Sequence, residues 1–413
     1  MATSAWKQPF HDARRFLAKN WLKLFPKVTV IGITGSFGKT NTAWAVATVL
    51  SQKAPTLQTD LNLDTVYNLP ITLLKLRPKH NFLVLEMGVD HKGEMDSYLA
   101  LVRPSIGVVT GITPVHSEQE LLGSLERIIE EKGKLLEALP KDGWAILNWD
   151  DVHVREMAAK TKARIFRYSL ADKKVDFWAE KIEVDFTGTS FLLHTNYSNN
   201  RTLRVKIGLI GRHFVHAALV ATAVGLINGL SEEEIQSGLV KLRPLPGRLS
   251  LEKGPKGTLL LDDHLRANPV STAAGLETLS ELSHQGRKIA ILGEMGELGE
   301  YTQEEHRKIG QKVASLGIDF LVGVGPLQKL TLEEALKNGM KKENVFWAKD
   351  ITEAAQILEK IIKKGDLLYL KGSLLRHLER IIYLLQGKTV SCRINSCHFY
   401  KPCLACPKLR EGI

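Results

Sequence analysis

The sequence predicts an α/β fold: a central domain with a mostly parallel sheet, a second, Rossmann-like α/β domain, and a short cysteine-rich tail. Three observations lead there. From Lys27 onward, strand-like apolar runs alternate with helix-like ones, the pattern of parallel strands joined by crossover helices. The series is interrupted at Arg243-Pro-Leu-Pro-Gly247, whose residues stop regular structure, and a second alternating series follows. After Gln386 the composition shifts again, into 27 residues that hold all four cysteines.

In chain order, residues 1–27 place Phe16, Leu17, Trp21, Leu22, Leu24 and Phe25 among Arg14, Arg15, Lys19, Lys23 and Lys27. That is a short basic amphipathic helix, which either packs on the first domain or lies on an anionic membrane surface. The central domain, 28–246, carries buried strands at Val28–Thr34, Phe82–Met87, Ile106–Thr110 and Trp144–Asn148, with helices at Thr42–Gln52, Glu94–Leu101 and Leu125–Leu136. Phe177–Leu193 and Thr202–Ile207 read as an antiparallel excursion, before helices at Phe214–Gly229 and Ser231–Leu239. The second domain, 247–386, carries strands at Thr258–Leu261, Lys288–Leu292, Phe320–Val324, Val345–Ala348 and Leu367–Leu370. Its helices fall at Pro269–Ser280, Gln303–Leu316, Thr331–Asn338 and Ile351–Lys363.

The bulk composition narrows the function classes. At 413 residues, 44% hydrophobic and 24% charged, this is an ordinary globular chain. The net charge of +11 is spread along the whole sequence and mixed with Glu, without an aromatic-interleaved basic patch, so anionic small substrates are expected rather than nucleic acid. No apolar run reaches the roughly 18–20 residues that span a bilayer, and the N-terminus lacks a signal-peptide pattern, so a cytoplasmic location is expected.

The chemistry concentrates at strand ends. Val28–Thr34 runs into Gly35-Ser36-Phe37-Gly38-Lys39-Thr40 and then a helix-forming stretch, the context of a phosphate-binding loop. Backbone N–H groups of such a turn converge on phosphate oxygens, Lys39 reaches the β/γ-phosphates, and Thr40 offers a hydroxyl to Mg²⁺. Ile33 stands where the general pattern has its first glycine, with Gly32 one residue earlier. Glu86 ends a buried strand, followed by Gly88, His91, Gly93 and Glu94; carboxylates at the carboxyl ends of parallel strands sit where ligands bind. His116 follows the third strand, and Lys132 lies within Glu131-Lys132-Gly133.

In this order the motifs resemble the Mur ligase family of ATP-dependent amide-forming enzymes, over about Lys27–Gln386. The resemblance implies that Thr34–Thr40 is the ATP phosphate loop, Glu86 a Mg²⁺ ligand, His116 a metal-site histidine and Lys132 a carbamoylated lysine, whose carbamate is a hard oxygen ligand. It is strongest for the branch that adds D-alanyl-D-alanine to UDP-N-acetylmuramoyl-tripeptide. Asn148-Trp-Asp150-Asp151, Pro246-Gly-Arg248, Asp262-Asp263 with Ala267-Asn-Pro-x-Ser271, Leu292–Gly299 with His306, and Leu370–Ser373 with Glu379 carry that closer likeness. It implies that Asn148, His213, Arg248 and Asp263 contact the nucleotide, Arg248 near the γ-phosphate. The sequence also departs from the family. Gly111 stands for asparagine, Phe214 and Ala217 replace the two asparagines after His213, and Leu265-Arg266 replace Tyr-Asn. In the segment Asn62–Pro70, Asn62 and Pro70 fit while Asp64, Thr65 and Asn68 do not. Only 27 residues precede the phosphate strand, where the family's uridine-nucleotide domain needs on the order of a hundred.

Cys392, Cys397, Cys403 and Cys406, with His398 alongside, pack four thiols into 15 residues. Such clustering in a cytoplasmic protein favours metal over disulfides, and Zn²⁺ on four thiolates is expected, with an iron–sulfur cluster or unligated thiols as the other readings. The expected activity is ATP-dependent ligation of a peptide carboxylate to an amine such as D-alanyl-D-alanine. Two other readings stay open: a ligase or amidating subunit acting on a lipid-linked muropeptide or another amino-acid polymer, with a protein partner, and a noncatalytic nucleotide-binding scaffold.

Overall fold

The computed structural model describes residues 8–60, 65–197 and 201–392, and in the tail residues 394, 396, 397, 399, 403–406 and 409. Asn62, Asp64 and His398 lie outside the described residues. The chain divides into two compact units, one comprising Met1–Glu183, Ser190–Gly208 and His213–Leu242, the other Val184–Thr189, Leu209–Arg212 and Arg243–Ile413.

The first sheet has nine strands: β1 (Thr29–Thr34), β2 (Thr56–Gln58), β3 (Phe82–Glu86), β4 (Ile106–Val109), β5 (Trp144–Asn148), β6 (Arg164–Ser169), β7 (Phe177–Asp185), β8 (Gly188–Thr195) and β9 (Arg201–Ile207). They lie in the order β2-β3-β1-β4-β5-β6-β7-β8-β9, parallel from β2 through to β7. The first strand sits between β3 and β4, so connections leave it toward both sides and open a crevice at its carboxyl end. In register, Ile33 lies beside Glu86 and Thr34 beside Val109. Thr34 and Glu86 therefore fall on one rim.

Several expectations are corrected in detail. The helix after β1 begins at Lys39 rather than Thr42, because Gly38 is its N-cap in the left-handed region (φ 75°) and the turn feeds it directly. The single run Phe177–Leu193 is two strands joined at Phe186 and Thr187. Three strands, β2, β6 and β10 (Ser250–Lys253), were not foreseen, nor was the helix Thr65–Leu74, which carries Pro70 inside it. The basic helix, Gln8–Leu22, packs rather than standing apart: Ala18, Trp21 and Leu22 join the cluster around Leu69, Leu73 and Leu83, and Trp21 Nε1 donates to Leu76 O at 3.2 Å. Phe10, Phe16 and Leu17 on the same helix remain exposed. Among the described residues, no helix is long and apolar enough to cross a membrane.

The second sheet contains β10, β11 (Leu259–Asp263), β12 (Lys288–Gly293), β13 (Phe320–Val324), β14 (Val345–Ala348) and β15 (Leu367–Lys371), in the order β10-β11-β15-β12-β13-β14. Only the β10·β11 pair is antiparallel. Leu260, Ile289, Ile291, Val322, Leu368 and Leu370 are buried together with Ala354 and Leu358 from helix Ile351–Ile361, each large side chain contributing roughly 1.5–3 kcal/mol. The β11·β15·β12 registers bring Asp263, Lys371 and Leu292 to one edge.

Candidate active site

The phosphate turn is built from close backbone approaches. Gly35 (φ 145°) runs so near β4 that a Cβ there would stand 2.1 Å from Thr110 Oγ1. Ser36 N donates to Gly111 O at 2.7 Å, Ser36 Oγ exchanges hydrogen bonds with the Thr113 backbone, and Thr110 Oγ1 donates to Phe37 O. Thr34 Oγ1 donates to Met87 O at 2.8 Å and Lys39 Nζ to Gly35 O at 2.7 Å. The departure at Gly111 has a physical reason: a Cβ on Gly111 would lie 2.1 Å from the Phe37 ring, so the aromatic residue in the turn and the missing side chain at 111 are one adaptation. Gly32, inside β1, belongs to the packing; a Cβ there would press on Met87 and Pro104 at 2.8 Å.

Beside this turn, one carbonyl collects two of the four expected metal-site residues. Lys132 Nζ donates to Val89 O at 3.1 Å, and His116 Nδ1 lies 3.1 Å from the same oxygen. Lys132 is fully buried and contacts no carboxylate by hydrogen bond; burial first, and the nearby Lys39 charge second, bring its amine down to about 7. Glu86, half-buried at the end of β3, has its N–H bonded to Thr59 Oγ1 at 3.1 Å. Asp90, His91 and Glu94 form an adjoining cluster whose ligand atoms lie within 4.8 Å of one another. Burial outweighs the backbone bonds that Glu94 accepts and raises its carboxyl, whereas for Asp90 the nearby His116 and bonds from Glu94 and His91 overcome burial and lower it. Glu131, 3% exposed, accepts Met95 N at 2.9 Å and pairs with Lys134 at 2.7 Å, fixing the start of the helix Glu94–Leu99.

These donors suit the groups the resemblance implies. Thr40 and Glu86 offer hard oxygen ligands for Mg²⁺, and the turn offers converging amides for phosphate. A bare Lys132 amine is a poor Mg²⁺ ligand, but an amine near 7 is about half uncharged at neutral pH, and the uncharged form adds CO₂ to become a carbamate.

On the far side of β4, Asn148 donates from Nδ2 to Thr110 O at 2.8 Å and accepts from Asp150 N, so its amide braces the turn's neighbour. Asp151 caps the helix Val152–Met157 and accepts Ile112 N at 2.7 Å. Asp150 pairs with His216 at 2.8 Å; burial raises its carboxyl, but bonds from His216, Ser169 and Leu170 N prevail and bring it to about 2. His213 stands at the N-cap position of the helix Phe214–Ile227 without a side-chain capping bond, and its ring lies against Phe214, centroids 4.1 Å apart. Phe214 is 3% exposed, which makes it core rather than a base-stacking platform. Asn68, which departs from the family, is buried and brackets the backbone of Asp60, accepting its N–H and donating to its carbonyl at 2.7 Å.

In the second unit, Asp263 Oδ2 meets Lys371 Nζ at 2.6 Å and accepts Tyr369 OH at 3.2 Å, with the Arg248 charge close to both members. Burial pulls the pair toward neutrality, Asp263 up and Lys371 down, against their mutual attraction. His306 is fully buried and holds the loop after β12, its Nε2 accepting Met295 N at 3.2 Å. Glu294 pairs with Arg376 at 2.7 Å and accepts Leu327 N. Sequence reasoning did not foresee Asp90 or the Asp263–Lys371 pair; the signal for the latter was that both residues end strands.

The four cysteines do not form the expected four-thiolate site. Among the described residues, no group of metal-ligand atoms includes more than one of them. Cys392 Sγ lies 3.7 Å from Arg380 Nη1, the backbone N–H of Cys397 donates to Leu375 O, and Cys403 is buried beside Glu379.

Comparison with known proteins adds to this geometry. Residues 33–225 match the model of the Mur ligase middle domain, and residues 247–374 that of the Mur ligase, glutamate ligase domain. The UDP-N-acetylmuramoyl-tripeptide–D-alanyl-D-alanine ligase of Mycobacterium tuberculosis (strain CDC 1551 / Oshkosh) is 33% identical over 365 residues, covering 84% of this chain and 70% of that protein. The ligase of the same name from Escherichia coli (strain K12) is 33% identical over 306 residues, 74% of this chain and 66% of the relative's length. A crystal structure of MurF from Acinetobacter baumannii superposes with a TM-score of 0.82 at 30% identity, over 92% of this chain and 81% of that one.

Proposed function

The chain belongs to the Mur ligase family, and from that premise we propose that it is an ATP-dependent carbon–nitrogen ligase of peptidoglycan-precursor synthesis, acting in the cytoplasm. Its substrates are UDP-N-acetylmuramoyl-tripeptide, D-alanyl-D-alanine and ATP. A carboxylate oxygen of the tripeptide attacks the γ-phosphorus, ADP departs, and the amine attacks the resulting acyl-phosphate, losing a proton and expelling phosphate. The observation that carries this reading is the gathering of Lys132 and His116 on Val89 O, with Lys39 alongside, at the crevice where β1 ends.

Each residue has a task. The turn amides and Lys39 bind and orient the phosphates, and their fixed positive charge opposes the negative charge of the transferring group. Thr40, Glu86, carbamoylated Lys132 and His116 would hold Mg²⁺, which would supply charge neutralisation to the phosphate oxygens. The Lys132 carbamate forms as the neutral amine adds to CO₂ and releases a proton. For Asn148, His213, Arg248 and Asp263 the nucleotide-contact role rests on the resemblance alone.

A second reading, ligation on a lipid-linked muropeptide, is favoured by the exposed Phe10, Phe16 and Leu17 beside Arg14 and Lys19 on the leading helix. The test is acceptor-dependent phosphate release. Release with soluble UDP-muramoyl-tripeptide plus D-alanyl-D-alanine is expected; release only with the lipid-linked acceptor reverses the ranking. Absence of release with both removes the ligase reading.

A further inference from the structure

Where the tail returns to the second unit, the structure gathers metal-ligand atoms that the ligase chemistry leaves unused. His377, Glu379 and Cys403 are 0%, 4% and 5% exposed, and one ligand atom of each lies within 4.8 Å of the other two. His377 Nδ1 meets Glu379 Oε1 at 2.9 Å, and the same oxygen accepts Cys403 N at 3.1 Å. A carboxylate only accepts, so without metal the ring presents Nδ1–H to Glu379 Oε1, and an ion held between these two atoms takes the tautomer in which the proton has moved to Nε2. His264 repeats the arrangement, with Nδ1 on Asp262 Oδ1 at 2.6 Å and Nε2 facing Glu379 Oε2 at 3.8 Å, too far for a hydrogen bond.

The consequence is an accumulation of orphans. His264 Nε2, His377 Nε2 and Glu379 Oε2 are all buried without a hydrogen-bond partner. Each such atom ordinarily costs about 1–3 kcal/mol, and two of them, His264 Nε2 and Glu379 Oε2, face one another at 3.8 Å. All are good ligands. Nitrogen and oxygen ligands of a tetrahedral Zn²⁺ ion stand roughly 3.3–3.5 Å apart, so the His264–Glu379 separation of 3.8 Å would have to close by a few tenths of an ångström. The Asp262–His264 bond is also the carboxylate–histidine pairing that orients imidazole toward a metal.

We propose that His377, Glu379 and Cys403 hold a Zn²⁺ ion, with His264 as the fourth ligand, and that the ion staples the tail to the second unit. Cys403 binds as thiolate, its proton passing to solvent. The tail is already guided there on its other side: Arg380, 1% exposed, donates to the carbonyls of Cys392 and Ile394, and Cys397 N donates to Leu375 O. The mixed nitrogen, oxygen and sulfur set suits Zn²⁺ and contrasts with a site of four thiolates. The proposal is independent of the ligase reading.

The test uses the full chain. Metal content of the purified protein should show one equivalent of zinc, and Co²⁺ added after chelation should give the charge-transfer intensity of a single thiolate. Cys403→Ser and Glu379→Gln should each weaken binding tenfold or more, while Cys397→Ser and Cys406→Ser retain it, with circular dichroism checking that each folds. Equal loss on Cys397→Ser, or four-thiolate Co²⁺ intensity in the unaltered chain, overturns the proposal. So does a chain that binds neither ion. If Cys403→Ser fails to fold, the Co²⁺ spectrum of the unaltered chain decides.

Discussion

Two lysines are buried almost equally, Lys132 at 0% exposure in the first unit and Lys371 at 2% in the second, yet their surroundings are opposite. Lys371 ends a strand directly beside Asp263 and meets its carboxylate at 2.6 Å. Lys132 projects from a helix toward a backbone carbonyl, with Asp90, Glu94 and Glu131 acting only from a distance and Lys39 opposing its charge. Burial disfavours the charged form in both. A contacting carboxylate makes a buried lysine part of the scaffold, whereas its absence leaves an amine that gives up its proton near neutrality and is free to be modified.

The sharpest way to break this comparison is activity. Lys132→Ala and Lys39→Ala should each lower turnover about a thousandfold, measured as acceptor-dependent ADP release. Added acetate should partly restore Lys132→Ala but not Lys39→Ala, because only the former lacks an oxygen ligand. Stability should then invert the ranking. Lys371→Met leaves Asp263 buried beside a lost partner and should cost about 3–5 kcal/mol by urea denaturation, while Lys132→Met, which strands no contacting charge, should cost far less.

Asp150 extends the contrast to a carboxylate that its partners hold ionised. Its carboxyl near 2 lies below the unfolded value near 3.9, so it contributes about 2 kcal/mol above pH 4, lost as pH falls toward 2. Asp150→Asn should remove that part of the acid dependence, read from denaturation midpoints between pH 5 and 2.5. The smallest effect concerns the amine itself. At fixed dissolved ¹³CO₂, the rate of label uptake at Lys132 should be nearly level above pH 7 and fall about tenfold per unit below it, as the reactive neutral fraction falls. A rate independent of pH between 5 and 7 would show that the amine is already neutral throughout.

Much of this architecture was legible in the sequence because β-branched and apolar runs such as Val28–Thr34 and Phe320–Val324 bury both faces and leave little ambiguity. The missed strands lacked that signal. Thr56–Gln58 is three residues long, and three of the four residues in Ser250–Lys253 are polar or charged. The helix Thr65–Leu74 was hidden by Pro70, a residue that ordinarily argues against helix. The phosphate turn could be read because its chemistry lies in consecutive residues. Val89 could not, since its contribution is a backbone oxygen that any residue supplies. The tail misled for the converse reason: four cysteines close in sequence suggested one site, whereas Cys403 finds its neighbours in His377 and Glu379, more than twenty residues earlier.

The strand order of the second sheet bears on how the chain is made. Its last strand, Leu367–Lys371, lies between Leu259–Asp263 and Lys288–Gly293, so it alone joins the sheet's two halves. A ribosome delivers the chain from its N-terminus, and the strands before it emerge with an open slot where their central partner belongs. The first sheet does not wait in this way for the end of the chain, since its earliest strand, β1, is already an interior one. A nascent chain stalled before Leu367 should therefore display a finished first sheet and an exposed pair of edges in the second, a natural point for chaperone engagement.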